Sequence, residues 1–326
     1  MTSIAAIRAQ LQSIPLPTAS FAGQTIIVTG SNTGLGLEAA RHFVRLDAAR
    51  VILAVRSNKK GEDAKASIEA STNRKNVLEV WHLDMSNYSS IKEFALLCES
   101  LDRLDVVVAN AGVLRNTYEE AGGTEITIAV NVIGTFLLAL NLFPILRRSR
   151  QSTGQISRIV ITSSVMHEDA KFQEQHESPI FEAFKKNNKA YLADRYNTSK
   201  LLEVFLVRSM AEAMGNGPHA AEPVILNNVN PGLCHSELDK DVKGVASHIL
   251  TFAKALIART TEVGGRTLVH SAAAGRESHG QYMSECEVKE PSKFVRSNEG
   301  AMVQKRVHTE LMGILETIQP GITKNI

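Results

Sequence analysis

From Thr25 onward, short β-rich runs alternate with longer amphipathic ones, and few folds accept that order. "TIIVTG" reads as a strand running into a Gly-rich turn, and "LGLEAARHFVRL" follows with helical periodicity. "VILAV", "VLEVWHLD", "LDVVVANAG", "IVITSS" and "PVILNNVNPG" read as five further strands, with helical stretches such as "GEDAKASIEAS" and "IKEFALLCESL" between them. Buried apolar strands separated by helices predict an α/β fold: a doubly wound, mostly parallel sheet covered by helices on both faces. No linker and no internal repeat divides the run. Residues 1–20 are expected to be an N-terminal extension and 21–326 a single domain.

The chain of 326 residues is 44% hydrophobic and 21% charged, enough to fill one large core, with a formal net charge of +2. Mixed charges of that balance argue against nucleic acid or an anionic membrane as partner. The three cysteines, Cys98, Cys234 and Cys286, have no metal-type spacing, and a reducing, cytoplasmic setting is expected. No metal site is expected, and His167 and His176 read as polar surface residues. No apolar stretch is expected to approach a membrane span, so no stable membrane insertion is expected. In the extension, Ile4, Ile7, Leu11 and Ile14 have helical spacing before Pro15 and Pro17. A short helix docked on the domain is expected, with weak interfacial anchoring as the alternative.

In "TGSNTGLG" the first strand ends and a helix begins, the context of a dinucleotide-binding turn. Gly30 suits the tight turn, while Gly34 and Gly36 allow close approach of a pyrophosphate to the helix N-terminus. Ser31 and Asn32 could donate from the turn to the cofactor phosphate, and Leu35 completes the turn. The second strand runs directly into Arg56, with Lys59 and Lys60 beyond and no acid at its tip. A guanidinium there suits the 2′-phosphate of NADP(H) rather than a bare ribose hydroxyl; the alternative is a solvated basic loop. Farther on, "YNTSK" places Tyr196 and Lys200 four residues apart, on one helical face. A phenol has a pKa of about 10, and a neighbouring ammonium favours its ionised form. The pair therefore reads as a proton-transfer device, Lys200 being expected to lower the pKa of Tyr196.

These motifs together resemble the short-chain dehydrogenase/reductase family in its compact, single-domain Rossmann form. The resemblance rests on T-G-x3-G-x-G, "ANAG", "VNVIGTF", "VITSSVMH", "YNTSK" and "NPG" in that order, from about Thr25 to Ser284. It implies a catalytic set of Asn131, Ser164, Tyr196 and Lys200. Tyr196 would exchange the proton, Ser164 would stabilise the substrate oxygen, and Asn131 would hold a relay water. Lys200 would also bind the nicotinamide ribose. Of the two serines, Ser164 matches the family's strand-end position, and Ser163 is expected to point away. The resemblance further implies that Asp84 meets the adenine, Asn110 lines the adenosine ribose, and Pro231 and Gly232 close over the nicotinamide. Asp84 could instead cap the next helix, a role open also to Asn87 or a nearby serine.

The 31 residues between Ser164 and Tyr196 are expected to form a lid or wall at the cleft mouth. Leu114 and Arg115 are expected at the pocket rim, Arg115 facing any acidic substrate group. After "NPG", Val242, Val245, Ala246, Ile249, Leu250, Ala253, Leu256 and Ile257 form an apolar stripe, read equally as a core helix or as a flap over the substrate. Val303, Val307, Leu311, Leu315 and Ile318 predict a C-terminal amphipathic helix, packed on the domain or on a partner subunit. The resemblance extends to filamentous-fungal and retinol-dehydrogenase-like members. It implies an NADPH-dependent oxidoreductase acting on the carbonyl of a hydrophobic small molecule (ketone, quinone, polyketide or terpenoid) or on the corresponding alcohol. It leaves open a homodimer or homotetramer. The alternatives are a non-redox protein of the same fold, a cofactor sensor or cyclisation template, and, with less support, a sugar-nucleotide epimerase.

Overall fold

The computed structural model describes residues 4–236, 238 and 257–326. The apolar stripe from Val242 to Leu256 and the side chains of Ile4 and Ile7 lie outside them. An eight-stranded sheet carries the chain, with the first strand near its middle and the last at one edge. In chain order, helix α1 (Ile4–Leu11) precedes β1 (Thr25–Thr29), α2 (Gly34–Arg45), β2 (Arg50–Val55), α3 (Asn58–Thr72), β3 (Leu78–His82), α4 (Tyr88–Cys98) and β4 (Val106–Ala109). A hairpin of β5 (Glu120–Ala121) and β6 (Thr124–Glu125) leads into α5 (Ile126–Thr153) and β7 (Arg158–Thr162). Helix α6 (Arg195–Asn216), β8 (Ile225–Asn230), α7 (Thr261–Ala273), β9 (Tyr282–Ser284), β10 (Glu287–Lys289) and α8 (Asn298–Ile318) follow. All neighbours in the large sheet pair in parallel except β10, which returns antiparallel on β9.

Alternation along each strand builds two cores. Ile27, Ile52, Val107, Ile159 and Leu226 face α4, α5, α6 and α8, while Ile26, Val51, Val106, Val160 and Val229 face α2, α3 and α7. That is why the strands read as continuous apolar runs: both faces are covered. Helix α5 is long and apolar enough to cross a membrane, with a mean hydropathy of 2.1 over its best window, contrary to expectation. It lies across the core instead, and 89% of that window is buried inside the protein.

The additions around the sheet close its open sides. The insert packs onto the domain, with Phe172, Ile180, Phe181 and Phe184 buried in the larger core. Glu310 of α8 accepts the backbone N–H groups of Ile180 and Phe181, each at 3.0 Å. The tail packs on its own domain: Val303, Val307, Leu311 and Leu315 are buried, and Arg147 of α5 donates to the Asn325 carbonyl. The extension docks differently from the apolar pattern. Leu11 is 65% exposed, whereas Ile14 is buried. Gln10 binds the backbone of Leu233 through both ends of its amide and also donates to the Ile257 carbonyl. Leu311→Ala, which opens a cavity between α8 and the core, should cost about 2–5 kcal/mol, read as a lower midpoint in denaturant unfolding.

Candidate active site

The carboxyl ends of β1, β4, β7 and β8 converge with the first turns of α2 and α6. At the β1 turn, Gly30 has φ +65° and Gly34 φ +62°, a region where a side chain would be strained. A Cβ on Gly36 would stand 2.7 Å from the Gly30 carbonyl and 2.6 Å from Asn110 Nδ2, so the turn and helix close only around a bare Cα. A Cβ on Gly34 would meet nothing nearer than Ser236 at 3.9 Å. That glycine thus borders a cradle of open space, with unpaired N–H groups of the α2 start beside it. Asn32 and Leu35 flank it, half-buried. Ser31 departs from expectation: it is fully buried and its hydroxyl donates to the Val28 carbonyl at 2.9 Å, so its side chain holds the turn and does not face outward.

Asn110 also acts within the protein. Its amide donates to the Thr29 carbonyl at 3.0 Å, tying β4 to the β1 turn. Asn87 caps α4, while Asp84 accepts the Ser86 hydroxyl and N–H through Oδ1. Arg56 is exposed at the end of β2. Gly232, with φ +79°, follows buried Pro231, whose carbonyl accepts from Arg259 at 3.0 Å.

At the centre, Ser164, Tyr196 and Lys200 come together. The Ser164 hydroxyl, which accepts the Met166 N–H at 3.2 Å, stands near enough to the Tyr196 phenol to favour its ionised form, and Lys200 Nζ lies 5.6 Å from the centre of the Tyr196 ring. Ser163 turns the other way, buried, its hydroxyl on the Lys200 carbonyl at 3.2 Å. Lys200 Nζ donates to the Thr162 carbonyl and to Glu203 Oε1, each at 2.8 Å. Asn131 sits in a π-helical turn of α5, Ala129–Gly134. Its side chain exchanges two hydrogen bonds with the Val113 backbone and donates to Ser199 Oγ at 3.1 Å. Ser199 in turn donates to the Tyr196 carbonyl at 2.7 Å. The Asn131 amide thus braces the loop after β4 against the first turn of α6.

Lys200 lowers the Tyr196 pKa as expected, but burial, which the sequence did not reveal, outweighs it. Burial raises its pKa above the ordinary tyrosine value; Lys200 works against that rise, and Glu203 works with it. Burial alone would depress Lys200, but Glu203 and Tyr196 outweigh it and leave it above the ordinary lysine value. Glu203 itself is pushed up to about 7 by burial, against the pull of Lys200.

Periodicity gave no sign of the groups that hold this turn in place. Arg195, with no exposure, donates to Glu174 at 2.7 Å, lies 3.6 Å from Glu125, and stacks on Phe184. Asp194 Oδ2 accepts the N–H groups of Lys171 and Phe172. Insert and hairpin are thereby locked to the residue before Tyr196. Asn230 Oδ1 accepts the N–H groups of Val165 and Gly232, joining the Ser164 turn to the Pro231 turn. His167 is buried rather than at the surface, as its polarity had suggested. Its Nδ1 lies 2.8 Å from the Ser164 carbonyl, and its Nε2 accepts the Ser292 N–H at 3.0 Å. The ring is therefore the neutral Nδ1–H tautomer. Arg115 at the rim pairs with Glu119 at 3.5 Å.

Residues 24–175 match the family model described as short chain dehydrogenase. The chain is 46% identical over 320 residues to the short chain dehydrogenase/reductase dmxR8 of Cryptosporiopsis sp. (strain 8999), spanning 96% of this chain and 97% of that one. It is 47% identical over 278 residues to the short chain dehydrogenase atnD of Emericella nidulans, across 84% and 88% of the two chains. The NADPH-bound carbonyl reductase from chicken fatty liver is similar in fold, with a TM-score of 0.60 at 18% identity, covering 82% of this chain and 99% of that one.

His167 yields a pH signature. Burial holds its pKa below the ordinary 6.5, so in acid the unfolded chain takes up a proton that the folded ring resists. The corresponding stability is present above 6.5 and is lost as pH falls toward the lowered folded value. His167→Gln should cost about 1–3 kcal/mol at neutral pH. It should also flatten part of the fall in melting temperature between about pH 7 and pH 5. The flattening is only partial, because His42, His279 and His308 are depressed in the same direction.

Proposed function

The chain belongs to the short-chain dehydrogenase/reductase family of oxidoreductases, and from that membership we propose an NADPH-dependent enzyme that reduces the carbonyl of a hydrophobic small molecule or oxidises the matching alcohol. The observation that carries this reading is the convergence of Ser164, Tyr196 and Lys200 beside the glycine cradle. The cradle fits a dinucleotide: open space at Gly34, the start of α2, and Arg56 at the tip of β2, where the ribose of the adenosine half would lie. Gly30, Gly34 and Gly36 would hold the pyrophosphate, and Arg56 the 2′-phosphate. Asp84 and Asn110 would line the adenosine side, and Lys200, Pro231 and Gly232 the nicotinamide side. When bound, the cofactor supplies or accepts the hydride.

The protein's own residues handle the proton. Because its pKa is raised, Tyr196 keeps its proton at neutral pH, the state needed to donate to a carbonyl oxygen. The Ser164 hydroxyl, close to the phenol, would hydrogen-bond the same oxygen as its charge develops. Lys200 stabilises the phenolate left behind. With the Asn131 amide engaged by Val113 and Ser199, a relay water would rest on the backbone of its π turn rather than on its side chain. A hydrophobic, uncharged substrate is supported by what surrounds the reacting centre among the described residues: Lys200 is paired with Glu203, and Arg115 with Glu119.

The test is NADPH consumption across aryl ketones, quinones, medium-chain aldehydes and bicyclic terpenoid ketones. Tyr196→Phe should lower kcat by about 10²- to 10⁴-fold on any substrate turned over. If turnover survives that change, the proton-donor role is wrong. Arg56→Ala should raise the KM for NADPH by about tenfold or more, with little effect on NADH, as expected for loss of a charge-assisted hydrogen bond. Equal use of NADH and NADPH by the native enzyme would overturn the role given to Arg56.

A further inference from the structure

Glu203 is the one ionisable side chain in the buried run "LLEVFLV", and the proton transfer described above leaves it without a role. Its neighbours Leu201, Leu202, Val204 and Phe205 have no exposure. Tyr196, Lys200 and Glu203 stand at i, i+4 and i+7 of α6, so all three share one helical face. The carboxylate receives Lys200 Nζ through Oε1 at 2.8 Å, while its buried Oε2 has no hydrogen-bond partner among the described residues. Both partners of this ion pair are buried, where a charge is tolerated only with a specific partner.

We propose that Glu203 is a positioning residue for the proton donor: its carboxylate fixes the Lys200 ammonium against the Thr162 carbonyl and offsets part of the positive field that the ammonium exerts on the Tyr196 hydroxyl. The inference rests on the reading of Tyr196 as that donor. Among the described residues, the charged and titratable groups acting on the cluster are Lys200, Glu203 and Tyr196 themselves. Ser163 and Ser164 add only neutral hydroxyls nearby, and Asn131, reaching the same turn through Ser199, adds only a neutral amide. The consequence has a definite sign. Removing a negative charge lowers the pKa of every group near it, so a neutral side chain at 203 moves both Tyr196 and Lys200 downward.

Glu203→Gln keeps the shape and one acceptor for Lys200 while removing the charge. The measurement is the ionisation of Tyr196, followed by phenolate absorbance across alkaline pH, with the same titration of Tyr196→Phe subtracted. Circular dichroism at each pH confirms that the fold persists. The midpoint should fall by about one pH unit, the size expected for a unit charge one to two helical turns away at an effective dielectric near 20. Glu203→Met, also neutral, should shift it the same way should the buried amide of Gln unfold the site. Glu203→Asp, which keeps the charge, should leave the midpoint near the native value. An unchanged midpoint in the neutral variants, or an equal shift in Glu203→Asp, would overturn the proposal and leave Glu203 a structural counter-ion. The titration needs neither substrate nor cofactor, so it decides the matter even where no carbonyl is reduced. Where one is reduced, the basic limb of kcat/KM should move to lower pH by the same amount in Glu203→Gln.

Discussion

A lysine ammonium withdrawn from water is the constraint around which this site is organised. Lys200 is almost wholly buried, and it stays charged because the Thr162 carbonyl and the Glu203 carboxylate accept hydrogen bonds from its ammonium. One partner is the last residue of β7 and the other lies one turn along α6, so the charge pins the strand to the helix. Ser163 repeats the link from the next residue of the chain, donating back to the Lys200 carbonyl. With strand end and helix start fixed to each other, Ser164 has little choice but to face Tyr196.

The same dryness sets two demands on Tyr196 that oppose each other. Burial disfavours the phenolate and keeps the proton in place; the ammonium favours the phenolate and makes the proton removable. A phenol in water beside a lysine would feel little of either effect, since bulk dielectric reduces the ammonium's field severalfold. In this pocket the two effects oppose each other and burial prevails. Charges placed one to two turns away shift the balance further, and Glu203 is such a charge.

Most of the sheet was legible because its strands are buried on both faces and leave uninterrupted apolar runs. The order of motifs likewise placed Ser164, Tyr196 and Lys200 within reach of one another. What escaped were features whose signal is a single polar contact between distant residues. His167 looks like a surface residue until Ser292 and the Ser164 carbonyl are seen on its two nitrogens. Ser31 reads as an outward donor until the Val28 carbonyl takes its hydroxyl. Leu11 fits a docking stripe, but the docking is done by Gln10 and Ile14. The two last strands, three residues each, are too short to carry a period. Glu203 was within reach of sequence reasoning: an acid three residues past Lys200, inside an apolar run, needs a buried partner, and Lys200 stands at the right spacing.

These polar contacts fall where the alternating sheet ends. Strands and crossover helices by themselves do not tie down the start of α6, the Pro231 turn or the outer face of α6. The insert is fastened to the start of α6 through Arg195 and Asp194, the tail covers α6 and α5, and the extension reaches the Pro231 turn through Gln10 and Arg259. An apolar seam can slide, and its sequence pattern is visible because it repeats; a buried guanidinium between two carboxylates cannot slide and does not repeat. Placing Arg195, Asp194 and Asn230 within a turn or two of the reacting groups gives that fixed geometry to the part of the protein where an error of an ångström costs most. The features least visible in the sequence are therefore those that hold Ser164, Tyr196 and Lys200 in register.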